Sequence, residues 1–481
     1  MSIILDIHHF KHLYMKKLLF SMIACSVVIN GYGQLPSLDS AAAHIAKGEL
    51  TAASEMIENL PVEVKQIHWF SVDSLNMIIS RLRYDFSLTP SEGIAEVLKK
   101  KPATTIREIA DWIDAKYIET ATIDGKEMWF RKAVRNLWLL NPEFQVHPDT
   151  VGNYEHFGST LYGWKEKKSD KNRCHDWHRA TIKFELDVDA NVVPAGDTVK
   201  AWLPIPLATV RQRNFKMLST SSDVVYSKGS AHNTVFMTAV AQKDKPTHFE
   251  ILFRYDVAAQ NFPLEYILEK LKPYNTDSDL YKEYTKADGK HVVINDRIKK
   301  LAKCIVGTET NPVKKASLIY DWIVSRFPWA GARDYGTIPN IPDYVLDIHH
   351  GDCGQVALLY ISLVRAVGVP ARWESGWMLH PWEKNYHDWA ETYFEGIGWV
   401  PTDVSFGRND DPAFKEYYKT GTDVYRFASN CDYSEKLYPE KKYLRTDPMD
   451  FQAGEAEWRN GNIEGTDYSS KLTVVSFEPI K

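Results

Sequence analysis

Residues 351–370 constrain the fold more than any other part of the chain, because they combine helix-boundary signals with an unbroken apolar period. Asp352 is a favourable N-cap residue, and Gly368 followed by Pro370 is a helix stop. Between them, apolar side chains recur at the spacing of one helical face: Val356, Leu359, Tyr360, Leu363, Val364 and Val367. The sequence therefore predicts a buried helix that begins at Cys353.

Cys353 is the residue of this predicted helix that can carry chemistry. The free N–H groups and the dipole of a helix N-terminus favour a thiolate, and the same N–H groups can bind an oxyanion. The alternative is that Cys353 packs as a small core residue, which is the commoner role of a lone cysteine. Flanking glycines at a capped helix start favour the reactive role, provided that partner residues exist.

The partner residues lie in a predicted β-hairpin at residues 386–404. A loop at residues 395–397 would set Trp389 opposite Asp403, so that His387 lies one diagonal step from Asp403 on the same face. A cysteine nucleophile, a histidine base and a carboxylate that holds the histidine in one tautomer are the groups needed to attack an amide or related acyl carbon. The sequence thus predicts a Cys–His–Asp triad.

These motifs resemble the bacterial transglutaminase-like superfamily, whose core has a papain-like fold. The resemblance covers residues 313–406 and rests on Gly351-Asp352-Cys353-Gly354, Arg365-Ala366-Val367-Gly368-Val369-Pro370-Ala371-Arg372, His387-x-Trp389-x-Glu391 and Trp399-x-x-x-Asp403. It implies that Cys353 is the nucleophile, His387 the general base and acid, and Asp403 the residue that orients His387. No acidic cluster resembles the calcium sites of the animal enzymes, so no metal and no cofactor is expected.

Two further sets of residues are candidates for the site. By the resemblance, one oxyanion donor comes from a segment upstream of the nucleophile that is less fixed in sequence, and the candidate donors are Gln355, Trp329 and Tyr335. Tryptophans near the triad can line a cleft for peptide or glycan, or can simply pack the hairpin. The candidates for the cleft are Trp377, Trp382 and Trp389.

The rest of the chain predicts an α+β protein with flanking domains. Helical periods fill residues 35–165, and the period changes to two within residues 172–260, which predicts a β-sandwich ahead of the core. The transglutaminase-like catalytic core is expected at residues 275–432. Residues 433–481 are expected to be loop-rich and to end in a closing strand.

The N-terminal region carries an export pattern. Residues 15–33 contain two lysines, a run of apolar residues and a small-x-small site before Gln34, which is typical of a secretory signal peptide. Residues 1–14 suit no export signal, so Met15 is the expected start. We therefore expect an exported protein, periplasmic or extracellular. Lipoprotein processing at Cys25 is the alternative, and membrane attachment is expected only if Cys25 is lipidated.

The amino-acid composition limits the kinds of binding partner that are expected. The formal net charge is −5 and no basic block stands out, so nucleic acid is not an expected partner. Of five cysteines, one lies in the signal segment, and a free Cys353 leaves at most one disulfide. The run from Cys174 to His178 could suggest a metal site, but no second ligand pair has a recognisable spacing, and a plain strand entry is favoured.

Three functions are compatible with these features. The first is a cysteine hydrolase of peptide, isopeptide or glutamine amide bonds that acts through a thioester. The second is transglutaminase-type transfer of the acyl group to an amine, because water and amines attack the same thioester. The third is a non-catalytic adhesion or scaffold module. The expected partner is a peptide or protein substrate, with the cell wall and a host as candidate sources.

Overall fold

The computed structural model describes residues 36–144, 157–161, 163–164, 169–228, 230–409, 411–433 and 436–480. The predicted leader, the signal peptide and Cys25 lie outside these residues. The chain divides into two compact units. A helical unit contains Met1–Phe144 and Gly331–Asn340. A second unit contains Gln145–Ala330 and Ile341–Lys481 and is named the catalytic unit after the predicted core within it.

The helical unit is built from seven helices and a short hairpin within its described residues. In chain order these are α1 (Pro36–Ala46), α2 (Leu50–Glu58), α3 (Val62–Ile67), α4 (Trp69–Asp85), α5 (Pro90–Lys100), α6 (Ile106–Asp114), β1 (Thr120–Ile123), β2 (Lys126–Trp129) and α7 (Ala133–Leu140). Thr89 begins α5 with a capping box to Glu92, and Thr105 does the same for α6 with Glu108. Local sequence thus defines these helix starts.

Residues 331–340 join this helical unit although they lie within the segment that resembles the catalytic core. The side chain of Asn136 donates to the Gly331 carbonyl at 2.8 Å and accepts from the Gly331 N–H at 2.9 Å. The Asp334 N–H donates to buried Asp85, and Arg81 pairs with the Asp334 carboxylate. These contacts anchor a loop that no sequence pattern assigned to the helical part.

The catalytic unit begins with a run of strands and continues with helices. The strands are β3 (Cys174–Val188), β4 (Thr198–Pro204), β5 (Gln212–Thr220), β6 (Val224–Tyr226), β7 (Thr234–Val240) and β8 (Thr247–Asn261). The helices are α8 (Leu264–Lys270), α9 (Asp279–Thr285), α10 (Asp296–Val306), α11 (Pro312–Val324), α12 (Ile341–Ile348) and α13 (Cys353–Ala366).

The remaining elements complete three sheets. They are β9 (Ala371–Leu379), β10 (Lys384–Phe394), β11 (Gly398–Thr402), α14 (Pro412–Tyr418), β12 (Gly421–Thr422), β13 (Arg426–Cys431), β14 (Glu455–Trp458), β15 (Gly461–Ile463) and β16 (Tyr468–Pro479). One sheet has the order β12-β8-β3-β16, with β5 also paired to β8, and a second has the order β15-β14-β4-β7-β6. The third sheet, β11-β10-β9-β13, carries the predicted hairpin.

The first two sheets enclose one apolar core, as their alternating burial requires. Side chains of β3, β8, β4 and β7 fill this core, and Trp377 of β9 and Phe427 of β13 extend into it. The sandwich and the third sheet therefore share apolar contacts inside one unit. That continuity explains why the catalytic unit is a single compact body.

Two predicted boundaries differ from the structure. The helical unit ends at Phe144 instead of residue 165, because Phe157, Leu161 and Trp164 pack with α14 in the catalytic unit. Residues 433–481 contain three strands, and two of them extend both sandwich sheets: β16 pairs with β3 and β14 with β4. The C-terminal segment is therefore part of the sandwich, which extends well beyond the predicted residues 172–260.

No helix among the described residues is both long enough and apolar enough to cross a membrane.

Candidate active site

The predicted helix start is present and is capped from both directions. Cys353 is the first residue of α13, and the Asp352 side chain accepts from the Gln355 N–H at 2.9 Å. The Gln355 side chain accepts from the Asp352 N–H at 3.3 Å, which completes a capping box. The helix is buried along nearly its whole length and packs against α10, α11, α12 and the β9–β10 strands. These contacts hold the first turn of α13 in place.

The predicted hairpin register is also the observed one. Strands β10 and β11 pair Phe394 with Gly398 and Ala390 with Thr402 around the predicted loop. His387 Nε2 then lies 2.7 Å from Asp403 Oδ2, and both side chains are buried. Because Asp403 accepts from Nε2, the proton is assigned to that nitrogen, and Nδ1 is left as the basic site.

Asp403 is a strongly ionised carboxylate. Its Oδ2 also accepts from Arg426 at 3.1 Å, and its Oδ1 accepts from the Phe406 N–H at 3.0 Å. Burial opposes ionisation, but His387 and Arg426 together lower the pKa of Asp403 to about 2. Asp403 therefore stays charged at every pH at which the protein would act.

Arg426 links the pair to a second buried carboxylate. The guanidinium is fully buried and lies 2.9 Å from Asp423 Oδ2, which also accepts from the Tyr418 hydroxyl. His380 contacts the same guanidinium at 3.2 Å. Asp403, Asp423 and Arg426 thus neutralise much of one another's charge behind His387, in a region from which water is excluded.

His387 is tuned to be neutral. Burial lowers its pKa, the Asp403 carboxylate opposes that shift, and Arg426 adds to it. The ring stacks on Trp389 at a centroid distance of 5.7 Å and meets the edge of Phe406 at 4.9 Å. A neutral, oriented imidazole is suited to accept a proton.

The Cys353 thiol has a different partner from the one predicted. Its sulfur donates to Asp388 Oδ2 at 3.5 Å, and no hydrogen bond joins it to His387 among the described residues. The other Asp388 oxygen accepts from Gln452 Nε2 at 2.6 Å. Of the three predicted triad residues, the structure therefore joins His387 to Asp403 but leaves Cys353 hydrogen-bonded to the neighbour of His387.

The expectation of a stabilised thiolate is wrong for this arrangement. Burial raises the pKa of the Cys353 thiol well above its ordinary value, and the Asp388 and Asp352 carboxyls raise it further. Cys353 keeps some exposed surface, yet protein atoms crowd its sulfur. Desolvation and two acidic neighbours outweigh the helix N-terminus, so the resting thiol is protonated.

The oxyanion candidates fall in three different places. Gln355 is buried two residues after Cys353, and its side-chain Nε2 has no hydrogen-bond partner among the described residues. Trp329 is partly exposed and forms a parallel bridge with Gly351, two residues ahead of Cys353. Tyr335 lies in a 3₁₀ turn of the helical unit, outside the unit that carries Cys353. Gln355 has the best-placed free donor.

The predicted cleft tryptophans are packing residues instead. Trp377 is buried in the sandwich core and donates to the Gln452 carbonyl, and Trp389 is buried and donates to Glu374. Trp382 packs against His380 and Phe157 in an aromatic cluster. Their indole rings contact neighbouring side chains, which corresponds to the packing alternative.

Two motif residues of the resemblance have structural partners. Glu391 accepts from Arg372 at 2.7 Å across the β9–β10 pair. Glu374, which accepts from Trp389, also pairs with buried Arg211 at 2.8 Å. These bonds fix the strand on which His387 sits, and they explain why a tryptophan and a glutamate follow it at alternate positions.

One group of potential metal ligands occurs among the described residues. Glu185, His248 and Glu250 lie together on strands β3 and β8. His248 bonds Asp187 at 2.7 Å, while Lys183 bonds Glu185 at 2.7 Å and lies 3.5 Å from Glu250. The Lys183 ammonium lies close to both glutamates, so ion pairs explain why these acidic side chains lie together.

Three residues of the site were not identified from the sequence. Asp388 lies between His387 and Trp389 on β10, and its side chain points to the opposite face of the strand. An aspartate next to a histidine is not a sequence motif that would identify it. Gln452 lies far along the chain in a segment without periodicity, and Arg426 begins a short strand. Only their folded positions show that they surround the predicted triad.

Comparison with known proteins defines the class of the core. A family model described as the Transglutaminase-like superfamily matches residues 299–404, which contain Cys353, His387 and Asp403. The protein therefore carries a transglutaminase-like core, within a mixed helix and sheet architecture. This match bears out the family resemblance read from the motifs.

A relative and three solved structures are similar over larger parts of the chain. An uncharacterized protein of Haemophilus influenzae is 26% identical over 249 residues, covering 44% of this chain and 65% of the relative. The chain thus spans just under two thirds of that relative's length.

The structural similarities are partial. A candidate cysteine protease from Cytophaga hutchinsonii has 15% identity and a TM-score of 0.40, covering 64% of this chain and 93% of that protein. The periplasmic domain of TgpA from Pseudomonas aeruginosa, bound to ethylmercury, has 13% identity and a TM-score of 0.27, covering 52% and 94%. A candidate protease from Parabacteroides distasonis has 12% identity and a TM-score of 0.20, covering 50% and 47%. These scores are low, so the class of the core rests on the family match.

Proposed function

We propose that the protein is a cysteine-dependent hydrolase that cleaves peptide, isopeptide or glutamine amide bonds through a thioester on Cys353. The observation that carries this proposal is the buried His387–Asp403 pair, whose 2.7 Å bond holds the imidazole with Nδ1 free as a base. A purely structural histidine does not need a dedicated carboxylate that is itself kept ionised by Arg426.

The proposed reaction assigns each proton. The Cys353 sulfur attacks the amide carbon, an S–C bond forms, and the thiol proton passes to His387 Nδ1. The amide oxygen becomes an oxyanion, which the first-turn N–H groups of α13 and the side-chain amide of Gln355 stabilise in this proposal. His387 then returns the proton to the nitrogen as the C–N bond breaks, and the amine leaves. Water then attacks the thioester carbon, the S–C bond breaks, and the acyl group leaves as a carboxylic acid while His387 transfers a proton from the water back to the sulfur.

Transfer to an amine uses the same thioester, so the experiment is designed to tell the two outcomes apart. The substrate is dimethylcasein, whose blocked lysines cannot act as acceptors, incubated with and without cadaverine. Mass spectrometry of the products distinguishes new peptide ends, deamidated glutamines and cadaverine adducts. We expect new ends or deamidation in both incubations. Cadaverine adducts as the main product would favour acyl transfer.

The matched control replaces a different cysteine. Cys304→Ala changes an exposed thiol on α10 and should keep full activity. Cys353→Ala should lose all turnover in the same assay. Turnover by a folded Cys353→Ala protein would contradict the proposed function. No turnover on dimethylcasein by the wild type, together with no acylation of Cys353 by activated esters, would favour the adhesion or scaffold role.

We also propose that the protein is exported, with residues 15–33 removed ahead of Gln34. The pattern of lysines, apolar residues and small residues supports this proposal. N-terminal sequencing of the protein from its producing cells should give Gln34 as the first residue. An intact Met15 or an acylated Cys25 would contradict it.

A further inference from the structure

Asp388 occupies a buried position at which both carboxyl oxygens are engaged. Oδ2 accepts from the Cys353 thiol at 3.5 Å, and Oδ1 accepts from Gln452 at 2.6 Å. Among the described residues, no lysine, arginine or histidine forms an ion pair with Asp388. Asp388 therefore has no counterpart, among the described residues, of the His387 and Arg426 partners of Asp403, although both aspartates belong to the same hairpin region.

Gln452 is held rigidly in the position from which it contacts Asp388. Its backbone N–H donates to Asp447 at 3.0 Å, and its carbonyl accepts from the Trp377 indole at 3.1 Å. Its side-chain amide also reaches the His387 carbonyl at 3.3 Å, and the whole residue is buried. A side chain fixed at so many points orients the carboxyl that it contacts.

The charged groups around the Cys353 sulfur are acidic. Asp388 lies on β10, Asp352 caps α13, and Asp450 belongs to the segment that precedes β14. Asp447 of the same segment acts on Asp388. His387 bonds Asp403 and forms no hydrogen bond to the sulfur among the described residues. A thiolate formed at this position would be buried, and the charged groups of the described residues that act on it most strongly are all acidic, which disfavours it.

We propose that Asp388, oriented by Gln452, is a positioning residue that holds the Cys353 thiol protonated in the resting enzyme. This inference rests on the proposed function and adds a restraint to it. The S–H group donates to Asp388 until substrate binding breaks that bond and lets the sulfur lose its proton to His387. No proton leaves the thiol in the resting state, and no other reagent is needed.

The test measures how the reactivity of Cys353 depends on pH. Iodoacetamide alkylation is followed by peptide mass spectrometry at Cys353 in the wild type, Asp388→Asn and Asp388→Ala. Both variants should lower the apparent pKa of Cys353 and raise its alkylation rate near neutral pH at least about 10-fold, the effect of one pKa unit. Asp432→Asn is the matched control, since Asp432 bonds Tyr284 and not the thiol, and it should leave the profile unchanged.

Each other result would overturn the inference. An unchanged pH profile in both folded Asp388 variants would show that Asp388 does not restrain the thiol. Slower alkylation in both would make Asp388 a base that activates Cys353. A merely structural role would change stability without moving the profile. The proposed function is tested separately, because it fails if Cys353→Ala keeps turnover, whatever the alkylation profiles show.

Discussion

At the scale of single residues, two buried aspartates on the hairpin have opposite electrostatic settings. Asp403 contacts both His387 and Arg426, which lower its pKa to about 2. Asp388 contacts a thiol and an amide, and burial, followed by Asp352, raises its pKa well above the ordinary value. In the proposed mechanism, the first setting supports His387 as a base, and the second restrains Cys353 as a nucleophile. The difference comes from their partners, since both are nearly fully buried.

Asp403→Asn should reduce turnover without abolishing it. The amide can keep contact with His387 but cannot stabilise the imidazolium, so we expect a loss of about 10²–10⁴-fold. Turnover is measured in the dimethylcasein assay, after circular dichroism has shown normal folding. The double variant with Cys353→Ala should be no worse than Cys353→Ala alone, because the residues act as a unit. A folded Asp403→Asn protein with full turnover would remove Asp403 from the site.

Arg426→Met should strongly destabilise the catalytic unit. The substitution leaves the buried Asp403 and Asp423 carboxylates without their shared cation, which typically costs about 3–5 kcal/mol. Urea unfolding measures the change. Arg459→Met is the control, because Arg459 is a largely exposed residue that pairs with Asp197, and it should have little effect. An Arg426→Met protein as stable as the wild type would show that the two carboxylates do not depend on Arg426.

At the scale of elements, the sequence predicts the features that depend on neighbouring residues, such as helix starts and hairpin register. The start of α13 follows from Asp352 and Gln355, and the hairpin register follows from the length of one loop. The contact of Cys353 with Asp388 depends on side-chain direction and on Gln452, which arrives from a distant segment. The spacing of apolar residues along the sequence cannot predict such contacts. The thiolate expectation failed for the same reason, because desolvation and acidic neighbours appear only after folding.

Asn136→Ala should loosen the inserted loop of the helical unit. The substitution removes both side-chain bonds to the Gly331 backbone, and an unpaired buried polar group costs about 1–3 kcal/mol. Hydrogen exchange of peptides from residues 331–340 measures the change and should become faster. Asn59→Ala, at the exposed end of α2, is the control and should leave this exchange unchanged. Unchanged exchange in Asn136→Ala would show that other contacts anchor the loop.

At the scale of the whole molecule, buried histidines link stability to pH. His232, His291 and His380 are buried in the catalytic unit, and burial is the main cause that lowers the pKa of each to about 3. In the unfolded chain a histidine has a pKa of about 6.5, so the unfolded state binds protons first as the pH falls. Above about pH 6.5 each such histidine is neutral in both states and its titration has no effect on stability, whereas below that value protonation of the unfolded chain favours unfolding.

The pH dependence can be tested at one of these histidines. Between about pH 7.5 and about pH 5.5, each buried histidine should lower the free energy of unfolding by about 1.4 kcal/mol. Asp388 and Asp447 have raised pKa values and act in the opposite direction, so the difference between wild type and His291→Asn is the measured quantity. Urea unfolding at the two pH values should give a smaller decrease for the variant. Equal decreases would contradict a buried neutral His291.

In the proposed mechanism, Cys353 forms a thioester with an acyl group, and His387 drives this step. The most direct measurement follows the reaction of the protein with p-nitrophenyl acetate, by the burst of p-nitrophenol and by peptide mass spectrometry of the quenched protein. We expect one acetyl group per chain, located on Cys353, with a burst that is absent in Cys353→Ala and strongly slowed in His387→Ala. Acetylation at another residue, or an equal burst in folded Cys353→Ala protein, would contradict the proposed mechanism.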